Sequence, residues 1–162
     1  NEAEDREACI ETNVNGTVNI LDSIRTLMAE GGHVTVISSI AALVSLPGGL
    51  EAYSASKAAA AICATTCRNE FAKMGVTLTV AYPSIVDTPM ILDIEELPAV
   101  YRAFKHHTAA KAASSILKDS EKRNAASFTT WSDRFLVRIS RLAPKAFGAV
   151  VAWWIRRFEK KR

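Results

Sequence analysis

The sequence predicts an α/β protein built on a parallel sheet with helices on both faces. Two short β-branched runs, His33-Val-Thr-Val-Ile-Ser38 and Val76-Thr-Leu-Thr-Val-Ala-Tyr82, are almost continuously apolar, as strands covered on both faces should be. Long segments with helical spacing precede, separate and follow them. The resulting order of helix, strand, helix, strand, helix, strand is the pattern of parallel crossover units.

Each element has a local cause. From Glu2 to about Glu30, apolar residues recur at helical spacing (Ile10, Val14, Val18, Leu21, Ile24, Leu27, Met28) until Gly31-Gly32 stops the run. The strand over 33–38 follows, and Pro47-Gly48-Gly49 marks a loop. A helix rich in small residues spans about Leu50 to Met74 and ends at Gly75. Pro83-Ser84 closes the strand over 76–82. Residues 84–107 read as irregular or weakly helical. A helix is predicted near 108–119, a strand over 125–130, and helices over 131–142 and 145–160 separated by Pro144. There is no internal repeat.

With 162 residues, 49% hydrophobic and 23% charged, the chain can bury one core. Cys9, Cys63 and Cys67 form no disulfide framework, and they have no metal-ligand spacing with His33, His106 or His107, so no metal is assigned. Cys63 and Cys67 read as small buried thiols of a helix. Free thiols and the absence of a signal-like start suit a cytoplasmic setting. The acidic opening Asn1-Glu-Ala-Glu-Asp-Arg-Glu7 reads like the middle of a helix, which suggests a fragment. Residues 1–121 carry 9 Lys+Arg and 15 Asp+Glu, and residues 122–162 carry 11 and 2. The basic character therefore lies in the C-terminal tail.

Ligands of a parallel α/β sheet sit at the carboxyl ends of its strands. Three features converge there. Ser38-Ser39 ends the first strand, Tyr53 and Lys57 open the next helix, and Pro83-Ser-Ile-Val-Asp-Thr88 leaves the second strand. Tyr53 and Lys57 are one helical turn apart on one face, so the ammonium can stabilise a phenolate. A hydroxyl, a phenol and an ammonium in one crevice suit acid–base chemistry at a carbonyl or alcohol carbon.

At these residues the chain resembles the short-chain dehydrogenase/reductase family. The matching segments are Asn13-Val-Asn-Gly16, Val36-Ile-Ser-Ser39, Tyr53-Ser-Ala-Ser-Lys57 and Tyr82-Pro-Ser-Ile-Val-Asp-Thr88, in order over roughly residues 5–120. The resemblance implies a Rossmann-like, doubly wound, three-layer α/β/α fold. It also implies an NAD(P)-dependent oxidoreductase with a catalytic tetrad of Asn13, Ser39, Tyr53 and Lys57. Tyr53 would be the general acid/base. Ser39 would hydrogen-bond the substrate oxygen, with Ser38 as its competitor. Lys57 would stabilise the phenolate and hold the nicotinamide ribose, and Asn13 would organise a water linking Lys57 to solvent. Pro83, Ser84, Val86 and Thr88 would cradle the nicotinamide of NAD or NADP. Met90, Ile91, Leu92, Leu97, Val100 and Phe104 favour a lipophilic carbonyl or alcohol substrate. A homodimer through the helices bearing Asn13 and Tyr53 is a further expectation. Asn15 reads as a helix-surface residue, and the histidines receive no role, with His106-His107 expected on a solvated loop.

Three departures stand out. Ser39 and Tyr53 are 14 positions apart, about one more than the family's commonest spacing, which points to an extra residue at Pro47-Gly48-Gly49. Ser84 stands where the family usually has glycine. No glycine-rich turn follows a first strand to receive a pyrophosphate at a helix N-terminus. The chain therefore reads as the C-terminal, catalytic part of such a domain (1–130), apparently incomplete at its N-terminus, followed by a basic, apolar helical extension (131–162). Within that extension, Ala146 to Ile155 is apolar and is followed by Arg156-Arg157 and Lys160-Lys161-Arg162. It is too short to cross a bilayer but suits peripheral contact with anionic lipid, or a helix that closes the pocket or docks a subunit. Nucleic acid is not expected, because the basic residues lack a recognition fold. The alternative to catalysis is an inactive fragment that acts at most as an association or membrane-surface module.

Overall fold

The structure, a computed structural model, describes residues 2–45, 50–92, 101–102 and 104–159. The loop at Pro47-Gly48-Gly49 and the apolar residues Leu97 and Val100 lie outside them. The first helical run is two helices, α1 (Glu2–Ile10) and α2 (Gly16–Leu27), joined by a π-turn over Glu11–Asn15. There the Gly16 N–H reaches back five residues to the Glu11 carbonyl. Periodicity alone does not distinguish this wider turn from ordinary helix, and it holds Asn13. Gly31 and Gly75 take left-handed φ values of 83° and 70° and are joined by a 3.0 Å bond from Gly31 N–H to the Gly75 carbonyl. Two helix ends are thereby turned back toward two neighbouring strands.

Strands β1 (His33–Ile37), β2 (Thr77–Tyr82) and β5 (Ala126–Phe128) form a parallel sheet in the order β1-β2-β5. Helix α3 (Glu51–Lys73) crosses between the first two, as right-handed parallel connections require. A second sheet, β3 (Val86–Asp87) with β4 (His107–Thr108), lies in the stretch read as irregular. Two-residue strands carry no readable period. A short helix α4 (Pro89–Leu92) follows β3. Helix α5 (Ala109–Glu121) is capped by the Thr108 side chain, which accepts from the Lys111 N–H. Helix α6 (Trp131–Leu142) starts in a capping box between Thr130 and Asp133, and α7 (Pro144–Glu159) begins at the proline, where no N–H is needed.

Side-chain alternation produces three layers. Val34, Leu78, Val80 and Tyr82 join Leu21 of α2 and Ala61, Ala64 and Phe71 of α3 in one core. The alanines let α3 lie close to the strands, and Cys63 and Cys67 pack partly buried against the same cluster. On the opposite face, Thr35 hydrogen-bonds Ser120 of α5. A second core joins Ile40 and Val44 to Val137 of α6 and Phe147, Val151 and Ile155 of α7. The basic extension is thus packed onto the body.

Among the described residues, Phe71 is the largest fully buried side chain, at 0% exposure. Phe71→Ala should cost about 3–5 kcal/mol of stability, read from urea unfolding. A loss below ~1 kcal/mol would show that this core tolerates the cavity by collapsing.

Candidate active site

The register of the central ladder sets the floor of the site. Ile37 pairs with Ala81, and the Ser38 N–H continues the ladder to the Ala81 carbonyl at 2.8 Å. Ser38 is 2% exposed, and its hydroxyl donates to the Lys57 carbonyl at 2.8 Å, tying the strand end to α3. Ser39, in extended conformation, caps the single 3-10 turn Ile40–Ala42 by accepting from the Ala41 N–H at 3.2 Å. Its own hydroxyl proton remains available for donation. The Ile40 N–H then reaches the Pro83 carbonyl at 2.9 Å, joining the two strand ends.

Helix α3 brings Tyr53 and Lys57 over this floor. The Lys57 ammonium lies 5.9 Å from the centre of the Tyr53 ring and donates to the Ile37 carbonyl at 3.4 Å. Burial pushes the Lys57 ammonium below its ordinary value, and the nearby Cys9 thiol partly opposes that shift. Tyr101 lines the same cavity; burial pushes its phenol up, and Tyr53 beside it acts in the same direction.

The segment after β2 is pinned at several points. The Ser84 N–H donates to the Thr129 hydroxyl at 3.3 Å, and the Ser84 hydroxyl donates to the Asp133 carboxylate at 3.1 Å. That carboxylate also accepts from the Thr130 N–H at 2.9 Å, so it links the post-strand loop to the start of α6. Ser84 has no positive φ, so this backbone does not require glycine there. Ser39, Tyr53, Lys57, Pro83, Ser84, Val86 and Thr88 all line one cavity of about 370 Å³. Leu50, Ile85, Ile91 and Tyr101 make much of the rest of the wall apolar.

Asn13 is not in that lining. Its amide donates to Ser56 Oγ at 3.1 Å and to Cys9 Sγ at 3.3 Å, while Thr17 donates to its carbonyl at 2.7 Å. Ser56 is fully buried and donates to the Tyr53 carbonyl at 2.8 Å. Asn13 therefore meets the turn that carries Tyr53 and Lys57 through Ser56. Asn15 is exposed and bonds Glu11 on the helix surface.

Sequence reasoning passed over Ser56, Cys9, Asp133 and His106. Ser56 lies within the Tyr53–Lys57 motif and could have been noticed as a small polar residue at an inward position. Cys9 and Asp133 become visible only when separate elements meet. The placement of His106 on a solvated loop needs correcting: its side chain is 27% exposed and bridges two segments. Nδ1 lies 2.7 Å from the Asp87 carboxylate, and Nε2 lies 2.7 Å from the Tyr101 carbonyl. Both partners are acceptors, so the imidazolium, with two N–H groups, satisfies both.

Residues 1–98 match the family model described as short chain dehydrogenase. An uncharacterized oxidoreductase of Staphylococcus saprophyticus is 36% identical over 92 residues, covering 55% of this chain and 38% of that protein. An uncharacterized NAD-dependent oxidoreductase of Mycobacterium tuberculosis is 34% identical over 104 residues, covering 62% and 36%. The chain thus spans well under half the length of these curated relatives. A short chain dehydrogenase of Burkholderia cenocepacia, solved in complex with NADP, superposes with a TM-score of 0.74 at 23% identity. That match covers 92% of this chain and 60% of the other, and at this identity it establishes the shared fold.

The His106 bridge sets a pH dependence. Its folded pKa is raised first by the Tyr101 carbonyl, opposed by burial, and then by Asp87. The bridge should stabilise the fold fully below about pH 6.5 and fade as the pH rises through the raised value. The gap in urea midpoint between the native chain and His106→Ala should be larger at about pH 5.5 than at about pH 8.5. A gap independent of pH would refute the imidazolium form.

Proposed function

The chain belongs to the short-chain dehydrogenase family, and on that premise we propose that it carries the catalytic part of an NAD(P)-dependent oxidoreductase acting on a carbonyl or alcohol. The observation that carries this reading is the shared cavity. Ser39, Tyr53, Lys57 and the Pro83–Thr88 segment come from three separate chain regions yet line the same space. Tyr53 gives or takes the proton at the substrate oxygen, and Ser39 donates its free hydroxyl proton to the same oxygen. Lys57, with one weak bond to Ile37, keeps N–H groups for a ribose hydroxyl and supplies the cation beside Tyr53. Asn13 positions the Tyr53–Lys57 turn through Ser56. The apolar wall of Leu50, Ile85 and Ile91 favours a lipophilic substrate.

The residues present fit the nicotinamide end of NAD or NADP. Lys57 and Tyr53 would hold the ribose, and Pro83, Ser84, Val86 and Thr88 would cradle the ring. The bound dinucleotide supplies the hydride chemistry. The pyrophosphate end is less well served, since no glycine-rich turn opens a helix among the described residues. That observation favours the second reading, in which these 162 residues by themselves associate without turnover.

Functionally, residues 1–130 form the catalytic part and 131–162 the helical extension. Exposed apolar residues on the first three helices, Ile10, Ile20, Leu27 and Ile62, favour a homodimer through those helices. Free thiols suit a cytoplasmic protein. Among the described residues, no helix is long and apolar enough to cross a membrane. Peripheral membrane contact through the tail is favoured by the exposure of Val150 and Trp153 on α7.

Nicotinamide fluorescence titration separates the two readings. The 162 residues alone should bind NADH or NADPH weakly, and a longer chain that adds a glycine-rich strand–turn–helix should bind tightly. In the form that turns over, Tyr53→Phe should lower kcat by about 10²–10⁴-fold while cofactor affinity, still supported by Lys57, falls far less. Turnover close to that of the native chain would remove Tyr53 from the acid/base role.

A further inference from the structure

The apolar run Ala146–Ile155 is divided by the fold. Phe147, Val151 and Ile155 enter the second core, so only part of that run faces outward. The larger exposed apolar surface lies on the preceding helix. On α6, Trp131 is 78% exposed, Phe135 50%, Ile139 39% and Leu142 85%. Spacings of four, four and three residues place them in one stripe. Trp131 and Phe135 stack at 5.6 Å, so the stripe has an ordered aromatic end. Val137 and Ser140, on the other side of α6, are buried.

The surroundings of the stripe are cationic. Arg134, Arg138 and Arg141 are exposed on the same helix, followed by Lys145, Arg156 and Arg157. The Arg157 guanidinium sits 5.6 Å over the Trp153 ring. Between residues 131 and 157 the only carboxylate is Asp133. Thr130 and Ser84 hold it at the base of the helix. An apolar centre edged by guanidinium groups, with its one anion held internally, complements a surface that is anionic outside and apolar beneath.

We propose that the outward face of α6, continued by Val150 and Trp153 of α7, seats the protein on an anionic lipid bilayer. The proposal rests on the peripheral-contact reading of the extension and moves its centre from the tail to α6. Tryptophan favours the depth of the lipid headgroups, and arginine reaches from that depth to phosphate. Helices of 12 and 16 residues lie on a bilayer and do not cross it. A second copy of the chain would bring arginines against arginines. A nucleic acid would meet an apolar centre where its phosphates need cations.

Flotation with vesicles tests the proposal. The native chain should float with phosphatidylcholine vesicles containing phosphatidylglycerol, stay behind with phosphatidylcholine alone, and be released by about 0.5 M NaCl. Trp131→Ser with Leu142→Ser, checked for unchanged circular dichroism, should weaken the binding about tenfold. Arg138→Glu with Arg141→Glu, checked in the same way for an unchanged fold, should do the same. Trp153→Ser alone should leave most of the binding in place. If Trp153→Ser abolishes flotation and the α6 variants float normally, tail contact stands and the α6 face is wrong. If the native chain ignores anionic vesicles, both fall. Self-association lost in the α6 variants without any lipid effect, or duplex DNA bound while vesicles are ignored, would give the face to another occupant and overturn the proposal.

Discussion

The constraint on which the site depends is the parallel register between His33–Ile37 and Thr77–Tyr82. Because Ile37 lies opposite Ala81, the two strands run out together, and the residues just past them emerge on the same edge. The Ser38 N–H bonded to Ala81 and the Ile40 N–H bonded to Pro83 extend the pairing two steps beyond the last ladder position. A slip of one residue would reverse the facing of every side chain in β1. It would send Val34 toward Ser120 and Thr35 toward Leu21, exchanging an apolar contact for an unpaired hydroxyl. The cores on the two faces therefore hold the register, and the register holds the site.

A second layer of restraint comes from hydrogen bonds between the elements that surround the cavity. Ser38 ties β1 to the carbonyl of Lys57, and Ser56 ties the turn between Tyr53 and Lys57 to Asn13 in the π-turn. Asp133 ties Ser84 to the start of α6. Each is at least partly buried, and each satisfies groups that would otherwise be costly to desolvate. Helix α3 is consequently fixed at its Tyr53 end from two sides. Lys57 can remain partly buried there, with its charged form disfavoured, because the surrounding backbone is already committed.

The longer elements were legible in the sequence to within about three residues, the first helical run ending at Leu27 where Glu30 was expected. Strong periods and clear stops, such as Gly31-Gly32, Gly75 and Pro144, mark them, and α6 has the predicted bounds. The short β3–β4 ladder was not legible, because two residues have no period. Neither was the π-turn, whose side chains follow the ordinary helical pattern. His106 was misread because its partners, Asp87 and Tyr101, are fixed by the return of the chain from β3 to β4 and not by any motif. The apolar run Ala146–Ile155 carried no local sign of which residues meet water; Phe147, Val151 and Ile155 turn inward, and an exposed stripe lies on α6.

By itself the sequence determined which chemical groups are available and the alternation of helices and strands that implies a parallel sheet with those groups at the strand ends. Local spacing is enough for that: Tyr53 and Lys57 share a helical face, and Ser39 and Pro83 each terminate a strand. The tertiary structure decided how those groups are held. It separated Ser38, whose hydroxyl is bound to α3, from Ser39, whose hydroxyl proton is left available. It also connected Asn13 to the motif through Ser56 and chose which apolar residues of the extension meet water. These outcomes depend on which distant groups share the limited space and hydrogen-bonding capacity of the packed interior, and adjacent residues along the chain carry no record of that competition.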